Sequence, residues 1–252
     1  MSEMTSTGLE SLYPFLYSED GDLEAVLEAA RRSTVAKTDE IIELRRTLAE
    51  NIGVRLEQCA QQMAERFAAG GRLLTFGNGG SSTDAQELAS LFLCPGSGGP
   101  GDDAPPLPAF SLTNDVAVVT ALSNDVGFDV AFSRQIAAFG RRADIAVGIS
   151  TSGNSANLLL ALEEAARRGL LTVGIAGYDG GEMARLGCLD HLFVVPSSSV
   201  HRVQEAQTTL YHALWELTVA ACADGPEADG PEAAVPEADN LEASCAWPFP
   251  ER

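Results

Sequence analysis

Two stretches of this chain share one form, and that form leaves few folds open. Arg72-Leu73-Leu74-Thr75-Phe76 and Ala143-Asp144-Ile145-Ala146-Val147-Gly148-Ile149 are apolar runs of strand length. The first leads into Gly77-Asn78-Gly79-Gly80-Ser81-Ser82-Thr83, the second into Ser150-Thr151-Ser152-Gly153-Asn154-Ser155. A helical pattern follows each turn. Strands that read as continuous apolar runs are covered on both faces, and strands alternating with helices imply a parallel sheet between helical layers. Strand, small-residue turn and helix start also make an anion site. The first N–H groups of a helix are unpaired, and its dipole favours negative charge there. Glycines let the backbone approach, and serine hydroxyls add donors without bulk.

The second turn is the more specific. Ser150, Thr151, Ser152 and Ser155 place four hydroxyls within six residues, more than one helix cap uses. The first turn lacks the Gly-Lys-Ser/Thr of a nucleotide-binding P-loop. The single lysine of the chain is Lys37, far upstream, which removes Schiff-base chemistry from the site. The residues expected to hold phosphate are Ser81, Ser150, Thr151, Ser152 and Ser155, with Asn78 and Gly79 beside the remainder of the ligand. A formal net charge of −20 argues against nucleic acid as partner. An anionic ligand must then be held locally, against the field of the whole molecule.

Along the chain, helical spacing predicts a helix over 22–32 and a longer one over 38–69, with a break near Gly53 and a stop at Gly70-Gly71. The core then alternates: strand to Phe76, helix 82–92, strand 107–112, helices 115–122 and 130–140, strand 143–149, helix 155–168, strand 171–176, a short helix 182–186, strand 191–195 and helix 203–222. Ser81 and Asp84 form a capping-box-like pair at the first of these helices. The stretch 9–17 is aromatic-rich, and Cys94–Pro106 reads as a surface insertion. After Cys222 come eight acids and one base, with Asp-Gly-Pro-Glu-Ala repeated at Asp224 and Asp229, the composition of a disordered acidic tail. The reading is therefore a helical extension (1–70), an α/β domain (71–223) and the tail (224–252). The five scattered cysteines suggest neither a zinc knuckle nor a disulfide framework, and no apolar run is long enough to span a membrane. A cytoplasmic protein is expected.

Gly77-Asn78-Gly79-Gly80-Ser81 together with Ser150-Thr151-Ser152-Gly153-Asn154-Ser155 resembles the SIS (sugar isomerase) domain, in its phosphoheptose isomerase branch. The resemblance spans roughly residues 38–219. It includes Asn124-Asp125-Val126-Gly127-Phe128, Gly177-Tyr178-Asp179-Gly180-Gly181 and Arg202-Val203-Gln204-Glu205. It implies a three-layer α/β/α, flavodoxin-like sheet preceded by helices. It also implies a homo-oligomer, a tetramer with shared sites, and a phosphosugar ligand that Asn124, Asp125 and Gln204 help to bind.

An aldose–ketose isomerase needs a base beside C1 and C2, a group to handle the oxygen protons, and stabilisation of the enediolate. In this branch a Gln and a His eight residues apart on the last helix belong to the active and zinc site; Gln204 and His212 match them. The helix after the first turn carries a His and, four residues later, a catalytic Glu. Here those positions hold Glu87 and Leu91. Glu87, Gln204 and His212 are thus the expected zinc ligands, and Glu87, His212 and His201 the expected acid/base groups, the base being Glu87 or His201. The resemblance leaves a second class of function open: a non-catalytic SIS tetramer that binds a protein or senses a phosphosugar. Leu91 favours that reading, while Gln204 and His212 favour the enzyme.

Overall fold

The computed structural model describes residues 23–94 and 104–223. The aromatic stretch, most of the insertion and the acidic tail lie outside the described residues. Helix α1 (Leu23–Ala68) leads into β1 (Leu73–Gly77), α2 (Gly80–Leu93), β2 (Ala109–Ser111), α3 (Val116–Asp125), α4 (Ala131–Phe139) and β3 (Ile145–Ile149). Helix α5 (Ala156–Arg168), β4 (Leu171–Gly177), β5 (His191–Val195) and α6 (Val200–Ala223) complete the order. One-turn 3-10 helices at Phe128–Val130 and Gly181–Arg185 fill two connections. All strands are parallel, in the order β2-β1-β3-β4-β5. This is the doubly wound flavodoxin-like order.

Strand alternation sorts the core into two faces. Leu73, Val147, Val173 and Phe193 point into a cluster with Met63, Phe67, Leu88, Phe92, Leu210 and Leu214 of α1, α2 and α6. Leu74, Phe76, Ala146 and Ala176 point the other way, onto Phe132, Ile136, Leu158 and Leu162 of α4 and α5. The sheet is covered on both sides, as its apolar strands require.

Three expectations need correction. Residues 23–68 form one 46-residue helix without a break at Gly53. Glycine costs a helix only about 1 kcal/mol, Gly53 meets no obstacle, and the adjoining turns pack on α6. Helix α2 begins at Gly80, with Gly79 as its cap residue and no side-chain cap, so Ser81 and Asp84 do not form a capping box. Helix α6 begins at Val200 rather than 203, because Ser199 already caps it: its carbonyl accepts from Val203 N at 2.9 Å and its Oγ from Arg202 N at 3.5 Å. His201 is therefore an exposed residue of the first helical turn.

The end of the sheet opposite the two turns is held by a buried ion pair. Asp144 is fully buried and accepts from Arg72 N at 2.9 Å, Arg72 Nη2 at 2.7 Å and Arg141 N at 2.9 Å. Removing one partner of such a pair strands a charge and several donors. Asp144→Ala is expected to lower stability by about 3 kcal/mol in urea unfolding; a loss below about 1 kcal/mol would show that the pair is not what anchors β1 to β3.

Candidate functional site

Gly77 pairs in register with Ile149, so the two turns leave the C-terminal end of the sheet side by side. Strand β1 lies between β2 and β3, the point where the winding reverses and where doubly wound folds bind ligands. A reciprocal amide pair ties the turns: Asn78 Nδ2 donates to Asn157 Oδ1 and Asn157 Nδ2 to Asn78 Oδ1, each at 2.9 Å. Asn157 is buried on α5. Gln207 Nε2 of α6 donates to Ser150 O at 3.1 Å and fixes the second turn from the far side. Gly153, at φ 68°, lies against Gly180, where a Cβ would come within 2.0 Å of the Gly180 carbonyl oxygen.

The hydroxyls are placed for an anion. Ser150 Oγ accepts from Gly153 N and Ser152 Oγ from Asn154 N, which leaves each O–H free to donate. Ser81, Thr151 and Ser155 make no side-chain hydrogen bond among the described residues, and neither α2 nor α5 has a side-chain cap. The opening N–H groups of both helices thus remain without side-chain partners on the same side of the sheet. Asn124 and Asp125 lie at the exposed C-terminal end of α3. They hydrogen-bond each other at 2.8 Å, and no hydrogen bond joins them to the turns among the described residues.

From the first turn, α2 and α6 run alongside each other. Gly80, Asp84, Glu87 and Leu91 recur at helical spacing on one stripe of α2; Gln204, Thr208, Tyr211 and His212 do so on α6. The stripes meet. At the turn end, Gln204 fills the space beside Gly80, where a Cβ would lie 2.0 Å from Gln204 Nε2. Two turns further, Tyr211 OH donates to Glu87 Oε2 at 2.6 Å, and His212 Nε2 pairs with Glu87 Oε1 at 3.2 Å. The His212 and Glu87 side chains remain 37% and 50% exposed, within reach of a ligand. Leu91 packs half-buried on the core cluster. His201 lies eleven residues before His212, about 16 Å along the helix, so the two histidines serve opposite ends of the stripe.

The α2–α6 seam also holds a strained charge. Burial, and then the neighbouring Glu87 carboxylate, push Asp84 up from 3.8 to about 6. Burial, with the Glu87 hydrogen bond after it, pushes the Tyr211 phenol well above its ordinary value, so it stays protonated as a donor.

The SIS domain family model matches residues 38–177. The chain belongs to the SIS domain family. A phosphoheptose isomerase of Nitratidesulfovibrio vulgaris is 42% identical over 191 residues, 76% of this chain and 89% of its own. One from Desulfovibrio desulfuricans is 46% identical over 180 residues, 69% and 80% of the two chains. Among solved structures, phosphoheptose isomerase GmhA from Neisseria gonorrhoeae aligns with a TM-score of 0.68 at 34% identity, covering 76% of this chain and 99% of that one. A phosphoheptose isomerase from Francisella tularensis aligns at 0.70 and 31%, covering 76% and 98%.

Within this SIS chain the expected metal donors do not all meet. Glu87 and His212 converge, but Glu87 Oε2 already takes the Tyr211 hydroxyl. Gln204 sits beside Gly80, seven residues or about 10 Å from Glu87 along α2. Among the described residues no three His, Cys, Asp or Glu side chains are placed to hold an ion. A catalytic zinc takes three protein ligands; one chain brings two together. Sequence reasoning missed Asp84 as a seam residue, Tyr211 as the partner of Glu87, and Asn157 and Gln207 as braces of the turns. Only Asp84 carried a signal, its helical spacing with Gly80 and Glu87.

The raised Asp84 value has a consequence for stability. A carboxyl that is harder to ionise when folded destabilises the fold once charged; that cost is absent below the ordinary value of 3.8 and complete above about 6. Asp84→Asn is expected to raise the thermal midpoint at pH 8, with the gain shrinking as pH falls through 6. An equal or lower midpoint at pH 8 would contradict the burial of this charge.

Proposed function

We propose that this chain is an aldose–ketose isomerase acting on a sugar phosphate, with sedoheptulose 7-phosphate as substrate. One observation carries the reading: the Glu87–His212 pair and the hydroxyl-rich turns occupy two ends of one seam. Phosphate at the turns leaves the sugar to run along α2 and α6, with its far carbons at the pair. Relatives at 42% and 46% identity named phosphoheptose isomerases support it, and favour the enzyme over a non-catalytic binding module.

The chain's own groups supply what the reaction needs. Ser81, Ser150, Thr151, Ser152, Ser155 and the helix N-termini hold the phosphate by directed donors. Glu87 Oε1 holds His212 Nε2, which leaves Nδ1 for the sugar oxygens. Zinc belongs to this reading as an ion that Glu87 and His212 Nε2 would hold in place of their direct contact, with donors from a second copy and Nδ1 left for the sugar; bound there it would polarise the carbonyl. Metal analysis of the purified protein tests for it.

A homotetramer is part of the same proposal. Helix α3 is apolar yet has no buried residue, and Val26, Leu27, Val35 and Val54 of α1 are more than half exposed. Such surface fits subunit contacts. No helix among the described residues is long and apolar enough to cross a membrane, and the free Cys59, Cys94, Cys188 and Cys222 suit a reducing cytoplasm.

Incubation with sedoheptulose 7-phosphate is expected to yield aldose signals by NMR; no conversion, with or without zinc, would contradict the isomerase. Ser152→Ala is expected to weaken substrate binding in calorimetry by about 1.5–3 kcal/mol, roughly 10- to 150-fold, and unchanged affinity would move the phosphate elsewhere. Light scattering is expected to give the mass of four 26.5 kDa chains; a monomer would refute the assembly.

A further inference from the structure

The isomerase reading leaves one role unfilled. Something must remove a proton from carbon, and the position that the family resemblance assigns to the base holds Leu91, which has no group to accept it. Glu87 is the obvious replacement, yet both its oxygens are engaged, one by the Tyr211 hydroxyl and one by His212. Asp115 caps α3, Asp179 accepts from Gly181 N, and Glu205 pairs with Arg202. His201 lies at the phosphate end of the seam, far from the reacting carbons.

Asp84 differs from all of these. Among the described residues, four buried side-chain polar atoms lack a hydrogen-bond partner, and Asp84 Oδ2 is the one that belongs to an acid. Among the described residues its Oδ1 has no partner either but is not enclosed, and the residue is half-buried, so the carboxyl is sunk on one side and open on the other. It stands on the same stripe of α2 as Gly80 and Glu87, about 6 Å beyond Gly80 along the axis and one turn before Glu87. Buried polar groups are almost always satisfied, so an unsatisfied carboxyl needs a reason. A base with free lone pairs, placed between the phosphate turns and the group that handles the oxygen protons, is such a reason.

We propose that Asp84 is the catalytic base of this chain, taking the proton from the sugar carbon that the family's Glu would take. This rests on the isomerase reading above. The Asp84 carboxylate removes the proton from C1 of the ketose. The C1–H electron pair becomes the C1=C2 bond, and the carbonyl pair moves onto O2. His212 Nδ1 accepts the proton of O1–H and delivers it to O2. The O1 electron pair then forms the aldehyde C=O, and C2 takes the proton back from the Asp84 carboxylic acid. Nothing is oxidised or reduced overall, and every proton returns to the product.

The surroundings suit the role. Burial and Glu87 on the same helix hold Asp84 near 6, with Tyr211 facing it from α6 and His212 paired to Glu87 beyond. A base works best with its value close to the working pH. Activity must then fall as pH drops through about 6, because the protonated carboxyl accepts nothing.

The test uses the full chain and sedoheptulose 7-phosphate. Three quantities are read for wild type and Asp84→Asn: affinity by calorimetry, turnover by NMR, and exchange of the C1 hydrogen in deuterated water. The expected result is affinity within about twofold, kcat lowered at least about 100-fold, exchange abolished, and the acid limb near pH 6 removed from residual activity. An Asp84→Asn variant that binds normally and keeps kcat within about threefold overturns the base assignment and leaves the isomerase standing. A wild type that neither converts nor exchanges the sugar overturns both. Because Asp84→Asn relieves a buried charge, lost activity in a variant with an unimpaired thermal midpoint is not a folding defect.

Discussion

The reciprocal amide pair between Asn78 and Asn157 is the contact on which the site depends. It joins two turns that leave different strands, and it sets the N-termini of α2 and α5 side by side. Each amide satisfies the other, and Asn157 is buried. Loss of either would leave a donor and an acceptor unpaired, at about 1–3 kcal/mol for each group. Gln207 braces the second turn from α6, so a residue of the last helix helps shape the turn that follows β3. The glycines follow from the same closeness: a side chain at Gly80 would displace Gln204, and one at Gly153 would strike the Gly180 carbonyl.

The chemistry then follows from a helix pair. Because α2 starts at the first turn and runs beside α6, distance along the seam becomes distance from the paired turns. The order is Gly80 with Gln204, then Asp84, then Glu87 with Tyr211 and His212, and last Leu91 against the apolar core. A neutral polar end gives way to titratable groups and then to an apolar end. A ligand with an anionic end and a reactive carbonyl several carbons away matches this gradient. Glu87 lies one turn nearer the paired turns than position 91, and Asp84 lies two turns nearer.

The strands and the turns were legible in the sequence because their signals are local. His191–Val195 is the strand that its apolar run predicted, and the turn at 150–155 lies between β3 and α5, where its small residues placed it. Helix ends were less legible. Gly53 looked like a break because propensity was weighed without the packing of α1 on α6. Asp84 looked like a cap because a Ser followed three residues later by an acid is a common cap pattern, and only the true start at Gly80 frees it. Tyr211 carried no signal: an aromatic on an apolar helix face reads as core, and its hydroxyl gains meaning from Glu87, 124 residues away in sequence.

The proposed binding mode has phosphate at the paired turns and the sugar along the α2–α6 seam. A crystal structure with sedoheptulose 7-phosphate bound tests it most directly. Phosphate oxygens are expected on Ser81, Ser152 and Ser155, with C1 and C2 between Asp84 and His212. A phosphate bound instead at the Ser197–Ser199 loop, or a sugar turned away from α2, would contradict it.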